Sequence, residues 1–315
     1  MAAWLKLIIS IATVLILFGV IAACSPVRTI NALTPSSSYS KVADIAYGTD
    51  PRQKMDIYTP TGNPPASAST TNTMPKASWP VVVFFYGGTW NSGSRADYLF
   101  VAEALTSRGI LCVLADYRLY PQVRYPAFLQ DGALAMAYVS KEIQRYGGDP
   151  KRLFVMGHSA GAYNAAMIAL DPRWLAAVGM QPSALRGWIG LAGPYDFIPI
   201  TNEEAKPVFF YPDTPVDSQP INHVSTSSIP SLLIAPVDDK LVNPIRNTTG
   251  LANKLRAAGV PVQEFHFDKT SHVSLIGSMS WPLRGLAPTL DTVSQFVLTD
   301  AGRQPVSTTG SQPAK

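Results

Sequence analysis

The chain has 315 residues, of which 47% are hydrophobic and 15% charged, so it is long enough to bury the core of one large domain. Its formal net charge of +4 comes from basic residues spread along the chain, which excludes the clustered basic surface of a nucleic-acid-binding protein. Neither of its two cysteines, Cys24 and Cys112, has a second ligand at metal-binding spacing. We therefore predict no metal site and no cofactor.

An uncharged apolar segment at residues 7–24 follows Lys6 near the N-terminus. It is longer than an ordinary signal-peptide core and close to the minimum length of a membrane span. Its last four residues, I-A-A-C, resemble the lipobox of bacterial lipoproteins, which implies acylation of Cys24. An uncleaved helical anchor is the alternative. Both interpretations predict a domain outside the cytoplasm, held at a membrane of a bacterial cell envelope.

Composition divides the chain into four parts. Residues 1–24 are the predicted signal or anchor, residues 25–39 a tether rich in Ser, Thr and Pro, residues 40–300 the folded domain and residues 301–315 a disordered tail. A second polar stretch, residues 59–78, is predicted to be a long exposed hairpin loop.

Short β-branched runs alternate with amphipathic stretches through the folded part. Strands are predicted at residues 81–86, 110–116, 153–157, 187–192, 232–236 and 262–267. Helices are predicted at residues 98–108, 126–146, 159–170, 245–258 and 289–298. This alternation predicts an α/β fold, with a mostly parallel β-sheet flanked by helices on both faces. Ligands bind such sheets at the carboxyl ends of the strands.

The strongest single motif is G-H-S-A-G at residues 157–161, which lies between a predicted strand and a predicted helix. A nucleophile elbow needs this context, because its glycines let the backbone turn sharply and raise a serine above the sheet. Ser159 is therefore the predicted nucleophile. Because a serine hydroxyl needs a base to remove its proton, a histidine must lie within reach.

Of the four histidines, His272 is best placed to act as that base. His158 lies inside the elbow motif and is expected to point away from the serine, and His223 lies in a polar run. His266 alternates with phenylalanines in the last predicted strand, as is typical of a packed strand residue. His272 follows that strand and is predicted to lie on a loop at the ligand-binding edge.

A carboxylate must hold the imidazole of the base in the right tautomer. Asp238 and Asp239 both follow the predicted strand at residues 232–236, and Asp196, after another strand, is an alternative acid. The run D-K-L-V at residues 239–242 resembles the D-x-x-V segment that follows this strand in α/β hydrolases. The resemblance implies that Asp239 is the acid and that Asp238 is a solvated or turn-capping residue.

The chain order Ser159, Asp239, His272 is the order found in α/β hydrolases. The segments D-Y-R-L-Y-P at residues 116–121 and Y-G-G-D-P at residues 146–150 also resemble segments of that superfamily. Together the matching segments cover most of residues 54–297. The chain thus resembles the carboxylesterase and lipase branch of the α/β-hydrolase superfamily, which implies this fold without a large cap domain.

The run Y-G-G-T-W at residues 86–90 resembles the H-G-G-G-W or H-G-G-x-W loop of hormone-sensitive-lipase-like and feruloyl-esterase-like enzymes. In that family, backbone N–H groups of the loop bind the substrate oxyanion. The resemblance implies an oxyanion hole formed by Gly87, Gly88, Thr89 and Ala160, with backbone donors expected from the last three. The sequence departs from the family pattern at Thr89, which replaces a glycine, and at Tyr86, which replaces a histidine.

The connection at residues 194–229 is rich in aromatic residues and is equally compatible with a small lid and with an ordinary packed connection. Trp90, Tyr195 and Phe197 are candidate substrate-binding residues. The resemblance implies hydrolysis of a small carboxylic ester through an acyl-enzyme, with short acyl chains preferred. Alternatives are a formamidase or amidase, an acetyl or feruloyl sugar esterase and, from another class, a catalytically silent surface-binding module.

Overall fold

The computed structural model describes residue 4, residues 26–64 and residues 78–299. The predicted apolar anchor with Cys24 and the predicted tail at residues 301–315 lie outside the described residues. Within the described ranges, no helix has both the length and the apolar character needed to cross a membrane.

One eight-stranded sheet organises the described residues, in the order β1-β2-β4-β3-β5-β6-β7-β8. Strands β3 to β8 run parallel to one another, whereas β1 and β2 are antiparallel to their neighbours. This confirms the predicted α/β fold with its mostly parallel sheet. The strands are β1 Tyr39–Ala46, β2 Lys54–Pro60, β3 Trp79–Phe85, β4 Leu111–Ala115, β5 Gly148–His158, β6 Gly187–Leu191, β7 Ser231–Pro236 and β8 Val262–Phe267.

Continuous apolar runs in the sequence become the central strands. Every residue of β3, β4, β6 and β7 is buried. Because successive side chains of a strand point to opposite faces, this burial means that both faces of the sheet are covered. The helices are α1 Pro26–Ala32, α2 Leu99–Thr106, α3 Ala127–Glu142, α4 Ala160–Leu170, α5 Pro172–Ala176, α6 Gly250–Ala257, α7 His272–Gly277 and α8 Thr289–Leu298.

The first half of the chain differs from the sequence expectations in three places. Residues 59–78 do not close a hairpin, because β4 lies between β2 and β3 in the sheet. The predicted tether contains helix α1, where Asn31 donates to the Ala96 carbonyl at 2.9 Å and accepts the Phe100 N–H at 3.3 Å. Strand β1 was not predicted, because it is an edge strand whose residues are mostly exposed and lack an apolar pattern.

Candidate active site

Ser159 lies at the sharp turn between β5 and α4, with φ 54° and ψ −122°. A positive φ is unfavourable for a residue with a side chain, so the surrounding contacts must hold this turn. A Cβ on Gly157 would lie 2.1 Å from the Gly161 carbonyl oxygen, and one on Gly161 would lie 2.0 Å from that of Phe85. Only glycine fits at both positions, so the elbow packs directly against the end of β3.

The structure brings Ser159, His272 and Asp239 together at the carboxyl edge of the sheet. The Ser159 Oγ lies 2.8 Å from the His272 Nε2, and the His272 Nδ1 lies 2.7 Å from the Asp239 Oδ2. Since an ionised carboxylate only accepts, Nδ1 carries the proton and Nε2 is free to accept the serine hydroxyl. The three groups follow β5, β8 and β7, so the topology of a parallel sheet places them at one edge.

Asp239 is held by its own turn. Its Oδ1 accepts the N–H groups of Leu241 at 2.8 Å and Val242 at 3.0 Å. Burial alone raises the pKa of the Asp239 carboxyl, but the hydrogen bond from His272 and the two backbone N–H groups outweigh it and lower the pKa below its ordinary value. The neighbouring Asp238 is exposed and pairs with Lys240 at 2.7 Å. The turn therefore distinguishes the two adjacent carboxylates.

His272 is the first residue of helix α7, whereas the sequence analysis placed it on a loop. A capping box begins this helix: the Ser271 side chain accepts the Ser274 N–H at 3.3 Å, and the Ser274 hydroxyl accepts the Ser271 N–H at 2.7 Å. In the sequence, both serines belong to a polar run that predicts a loop, and the reciprocal cap has no separate signal. The cap fixes the backbone that carries the imidazole.

The His158 side chain contacts the backbone of His272 and does not bind the Ser159 hydroxyl. Its Nε2–H donates to the His272 carbonyl oxygen at 2.9 Å, and the two rings lie 5.1 Å apart. Burial, together with the nearby His272, lowers the pKa of His158 to about 3, so its ring is neutral near neutral pH. Its buried Nδ1 has no hydrogen-bond partner among the described residues.

Asp196 does not contact His272. Its carboxylate forms a bidentate ion pair with Arg246, in which Nη2 lies 2.9 Å from Oδ1 and Nε lies 3.1 Å from Oδ2. The geometry therefore gives the role of the acid beside His272 to Asp239 and not to this alternative.

The loop at residues 86–93, named here the oxyanion loop, bends towards Ser159. Gly88, Thr89 and Trp90 have positive φ angles of 122°, 50° and 59°. Thr89 and Ala160 line the cavity beside the serine, and neither backbone N–H has an acceptor among the described residues. These free donors are what an oxyanion hole requires.

Gly87, the remaining residue of the predicted oxyanion hole, has another role. Its backbone forms a hydrogen bond with the Tyr98 side chain, so it already has a partner. A Cβ at this position would lie 2.9 Å from the Ser159 Cβ. Gly87 thus allows the loop to approach the nucleophile closely, which leaves Gly88, Thr89 and Ala160 as the candidate donors.

A cavity of ≈ 180 Å³ opens beside Ser159 and His272. Two of the predicted substrate-binding residues, Trp90 and Phe197, line it, and their rings stack at 6.2 Å. Tyr195 was predicted to contact substrate but is fully buried, packs edge-on against Trp188 and does not line the cavity. Tyr195 lies four residues after the end of β6, and its ring folds back against Gly190 and Gly193.

The first part of the connection at residues 194–229 lines the cavity, from Pro194 to Ala205. Val208 and Phe209 of this connection are fully buried, and the Phe209 ring packs against Trp90 at 4.8 Å. Over this segment the structure supports a packed connection and contains no large cap domain.

Three polar residues that hold these walls were not predicted from the sequence. The Asn247 side chain accepts the N–H groups of Tyr195 and Asp196, Gln219 accepts the N–H of Phe197, and Asn164 accepts the Trp90 indole N–H at 3.0 Å. No residue pattern marks them, because each acts across a long separation in sequence. Their burial within otherwise apolar surroundings is the only signal, and it needs the structure.

An eight-stranded, mostly parallel sheet with a strained serine elbow and a Ser–His–Asp arrangement at its carboxyl edge defines the α/β-hydrolase superfamily. The BD-FAE family model matches residues 69–255, more than half of the chain, and the protein belongs to that family.

Two curated relatives place the chain in the carboxylesterase branch of the superfamily, and a solved structure shares its fold. The chain is 27% identical to a probable isoprenylcysteine alpha-carbonyl methylesterase of Arabidopsis thaliana, over 76% of this chain and 52% of the relative. It is 29% identical to esterase LipC of Mycobacterium tuberculosis, over 68% of this chain and 54% of that protein. Esterase B of Lactobacillus rhamnosis has the same fold, with TM-score 0.72 and 17% identity over 92% of this chain and 95% of that one. The chain spans about half the length of the curated relatives it matches.

Proposed function

We propose that the protein is a serine hydrolase that cleaves carboxylic esters through an acyl-enzyme. The observation that carries the proposal is the continuous chain of hydrogen bonds from Asp239 through His272 to Ser159, which opens onto a cavity. The relatives named esterases support the same reaction. A silent binding module has no need for this aligned arrangement or for the strained serine turn.

The geometry suggests the course of the reaction. Ser159 attacks the ester carbonyl while the His272 Nε2 removes its proton, and Asp239 stabilises the imidazolium that forms. The oxyanion develops beside the free N–H groups of Thr89 and Ala160, which line the cavity with Ser159. His272 then protonates the leaving alcohol, and a water molecule hydrolyses the acyl-enzyme by the same steps in reverse order.

The size and chemistry of the cavity favour a small ester. Trp90 and Phe197 close one side of the cavity of ≈ 180 Å³, which favours a short acyl chain. Thr201, Asn202 and Asn243 also line it and offer hydrogen bonds to a polar alcohol. An ester of a hydroxylated alcohol, such as a sugar ester, is therefore the second candidate substrate.

The decisive experiment compares the full-length protein with its Ser159→Ala variant on p-nitrophenyl acetate, butyrate and octanoate. We expect the substitution to lower kcat on the order of 10⁶-fold, because it removes the nucleophile, and the acetate and butyrate to react fastest. Ser225→Ala, at an exposed serine far along the chain, is the matched control and should retain full activity. Equal activity in the Ser159→Ala variant would refute the proposal.

We also infer that the N-terminal segment holds the enzyme at a bacterial cell envelope, with the domain outside the cytoplasm. The support is the uncharged run at residues 7–24 that ends in the lipobox-like I-A-A-C. Metabolic labelling with a fatty acid tests it: label should enter the wild-type protein and not a Cys24→Ala variant. Membrane-bound but unlabelled wild-type protein would instead support the uncleaved helical anchor.

A further inference from the structure

The oxyanion loop is held in an unfavourable backbone conformation. Gly88 tolerates its positive φ, but Thr89 is β-branched and Trp90 is bulky, and both have φ in the left-handed region. Such a segment persists only where its surroundings fix it. The positions of the loop N–H groups near Ser159 therefore depend on the contacts that hold this loop.

The two ends of the loop lie against each other. A Cβ on Gly93 would lie 2.7 Å from the Tyr86 ring and 2.8 Å from the Gly87 carbonyl oxygen. The Ser92 N–H donates to the Gly88 carbonyl at 3.1 Å, which turns the chain back on itself. Relaxation of the strained segment would separate Gly93 from Tyr86.

Arg52 bridges this closure. Its Nη2 donates to the Tyr86 hydroxyl at 2.9 Å and to the Gly93 carbonyl at 2.5 Å, and its Nε donates to the Tyr117 carbonyl at 2.8 Å. The Tyr117 hydroxyl in turn donates to the Tyr86 carbonyl at 2.7 Å. One planar guanidinium thus joins the first residue of the loop, its last residue and the chain that follows β4.

The turn between β1 and β2 is built to present this guanidinium. The Arg52 N–H donates to the Asp50 carboxylate at 2.8 Å, and the Asp50 N–H donates to the Gln53 side chain at 3.0 Å. Gln53 is anchored in turn by a 2.7 Å hydrogen bond to the fully buried Asp131. Arg52 therefore projects from a fixed turn rather than from a freely moving loop.

The acceptors of Arg52 distinguish it from Arg95 and Arg173. Arg95 and Arg173 bind carboxylates. The side chain of Arg52 binds three neutral oxygens, and within the described ranges it forms no ion pair. Its contacts fix the relative positions of backbone segments instead of balancing charge.

We propose that Arg52 is a positioning residue that keeps the oxyanion loop in its catalytic conformation by binding Tyr86 and Gly93 at once. The proposal rests on the proposed ester hydrolysis, in which the tetrahedral intermediate places an oxyanion beside Ser159. Arg52 does not line the cavity and acts through the loop. Tyr86 stands where the family loop has a histidine. Its hydroxyl accepts a hydrogen bond from the Arg52 guanidinium, and this contact anchors the loop in place of the histidine.

The test compares full-length wild type with Arg52→Ala and Arg52→Lys on p-nitrophenyl butyrate. We expect kcat of Arg52→Ala to fall by about 10- to 100-fold with KM changed by less than about threefold, because misplaced donors weaken binding of the transition state and not of the ester. Arg52→Lys should be intermediate. Guanidinium chloride at a non-denaturing concentration should restore part of the activity of Arg52→Ala.

A second readout measures the oxyanion hole directly. A trifluoromethyl ketone with a butyryl-length chain forms a hemiketal oxyanion on Ser159, so its Ki should rise by the factor by which kcat/KM falls. Arg173→Ala, which breaks an ion pair with Asp171, is the matched control. It should lower the melting temperature without changing kcat or Ki, and guanidinium should not affect its activity.

Tyr86→Phe covers the case in which Arg52→Ala does not fold. It keeps the stacking on Tyr117 at 4.7 Å, removes one acceptor of Arg52 and should lower kcat several-fold. Folded Arg52 variants and Tyr86→Phe with wild-type kcat and Ki would overturn the positioning role and leave ester hydrolysis standing. A wild type without Ser159-dependent esterase activity would overturn both proposals.

Discussion

The hydrogen-bonded triad and the oxyanion loop meet at Ser159 but are held in opposite ways. Asp239 is fixed by N–H groups two and three residues further along the chain, and His272 by a cap that begins at the preceding residue. The oxyanion loop depends on partners that are distant in sequence. Arg52 binds Tyr86 across 34 residues, and Asn164 binds the Trp90 indole across 74 residues. Local sequence builds the first region, and tertiary structure builds the second.

Substitutions in the two regions should lower activity in different ways. A substitution inside the triad changes a reacting group directly and leaves the backbone in place. A substitution that loosens the oxyanion loop lies outside the cavity and acts through geometry. Variants of the two kinds should therefore differ in the size of the rate loss and in whether protein stability changes with it.

Among variants that keep the Ser159 nucleophile, the largest effect is expected at the triad acid. Asp239→Asn should lower kcat by about 10⁴-fold, because the amide no longer holds the imidazole tautomer that accepts the serine proton or stabilises the imidazolium. Asp238→Asn, at the adjacent exposed residue, is the matched control and should change kcat by less than about twofold. Steady-state kinetics on p-nitrophenyl butyrate measure both. Equal losses of kcat in the two variants would contradict the assignment of Asp239, and not Asp238, as the triad acid.

This contrast also explains how much the sequence alone could predict. The parallel strands and the residues Ser159, Asp239 and His272 could be placed because their signals are local: apolar runs, a glycine-flanked serine and a polar residue just past each strand. Edge strand β1 and helix α1 carry no apolar periodicity and were missed. Arg52 also has no local signal, since it faces Tyr86 only after β2 joins the sheet beside β4.

The next effect concerns His158, which lies between the two regions. Its folded-state pKa of about 3 is below the ordinary value of 6.5, so between these values the unfolded chain binds the proton that the folded protein excludes. The associated stability is fully present above pH 6.5 and is lost as the pH falls towards 3. At pH 4.5 the loss should be about 3 kcal/mol relative to neutral pH.

His158→Gln separates this contribution from that of the carboxylates. The amide can still donate to the His272 carbonyl but does not titrate. Urea unfolding at pH 7.5 and pH 4.5 should show a smaller acid-induced loss in the variant, while the lowered pKa of Asp239 contributes equally to both proteins. Parallel losses in the two proteins would show that His158 is not buried in its neutral form.

Asn164→Leu breaks a support of the oxyanion loop without touching the triad. It leaves the Trp90 indole N–H buried without an acceptor, which should cost about 1–3 kcal/mol of unfolding free energy. We expect a several-fold fall in kcat as the loop shifts. The double variant Asn164→Leu with Trp90→Phe removes the unpaired N–H and should recover part of the stability in a double-mutant cycle. Strict additivity would argue against coupling between the two side chains.

The smallest effect is expected at Asp196, the alternative acid. Its ion pair with Arg246 is about half exposed to solvent, so its contribution to stability is about 0–1 kcal/mol. Asp196→Asn should change kcat/KM by less than about threefold, because the residue lines the cavity wall but does not bind His272. A loss near that of Asp239→Asn would mean that the carboxylate serves the imidazole during turnover. An unchanged rate would leave one acid in the triad and limit Asp196 to holding the wall through Arg246.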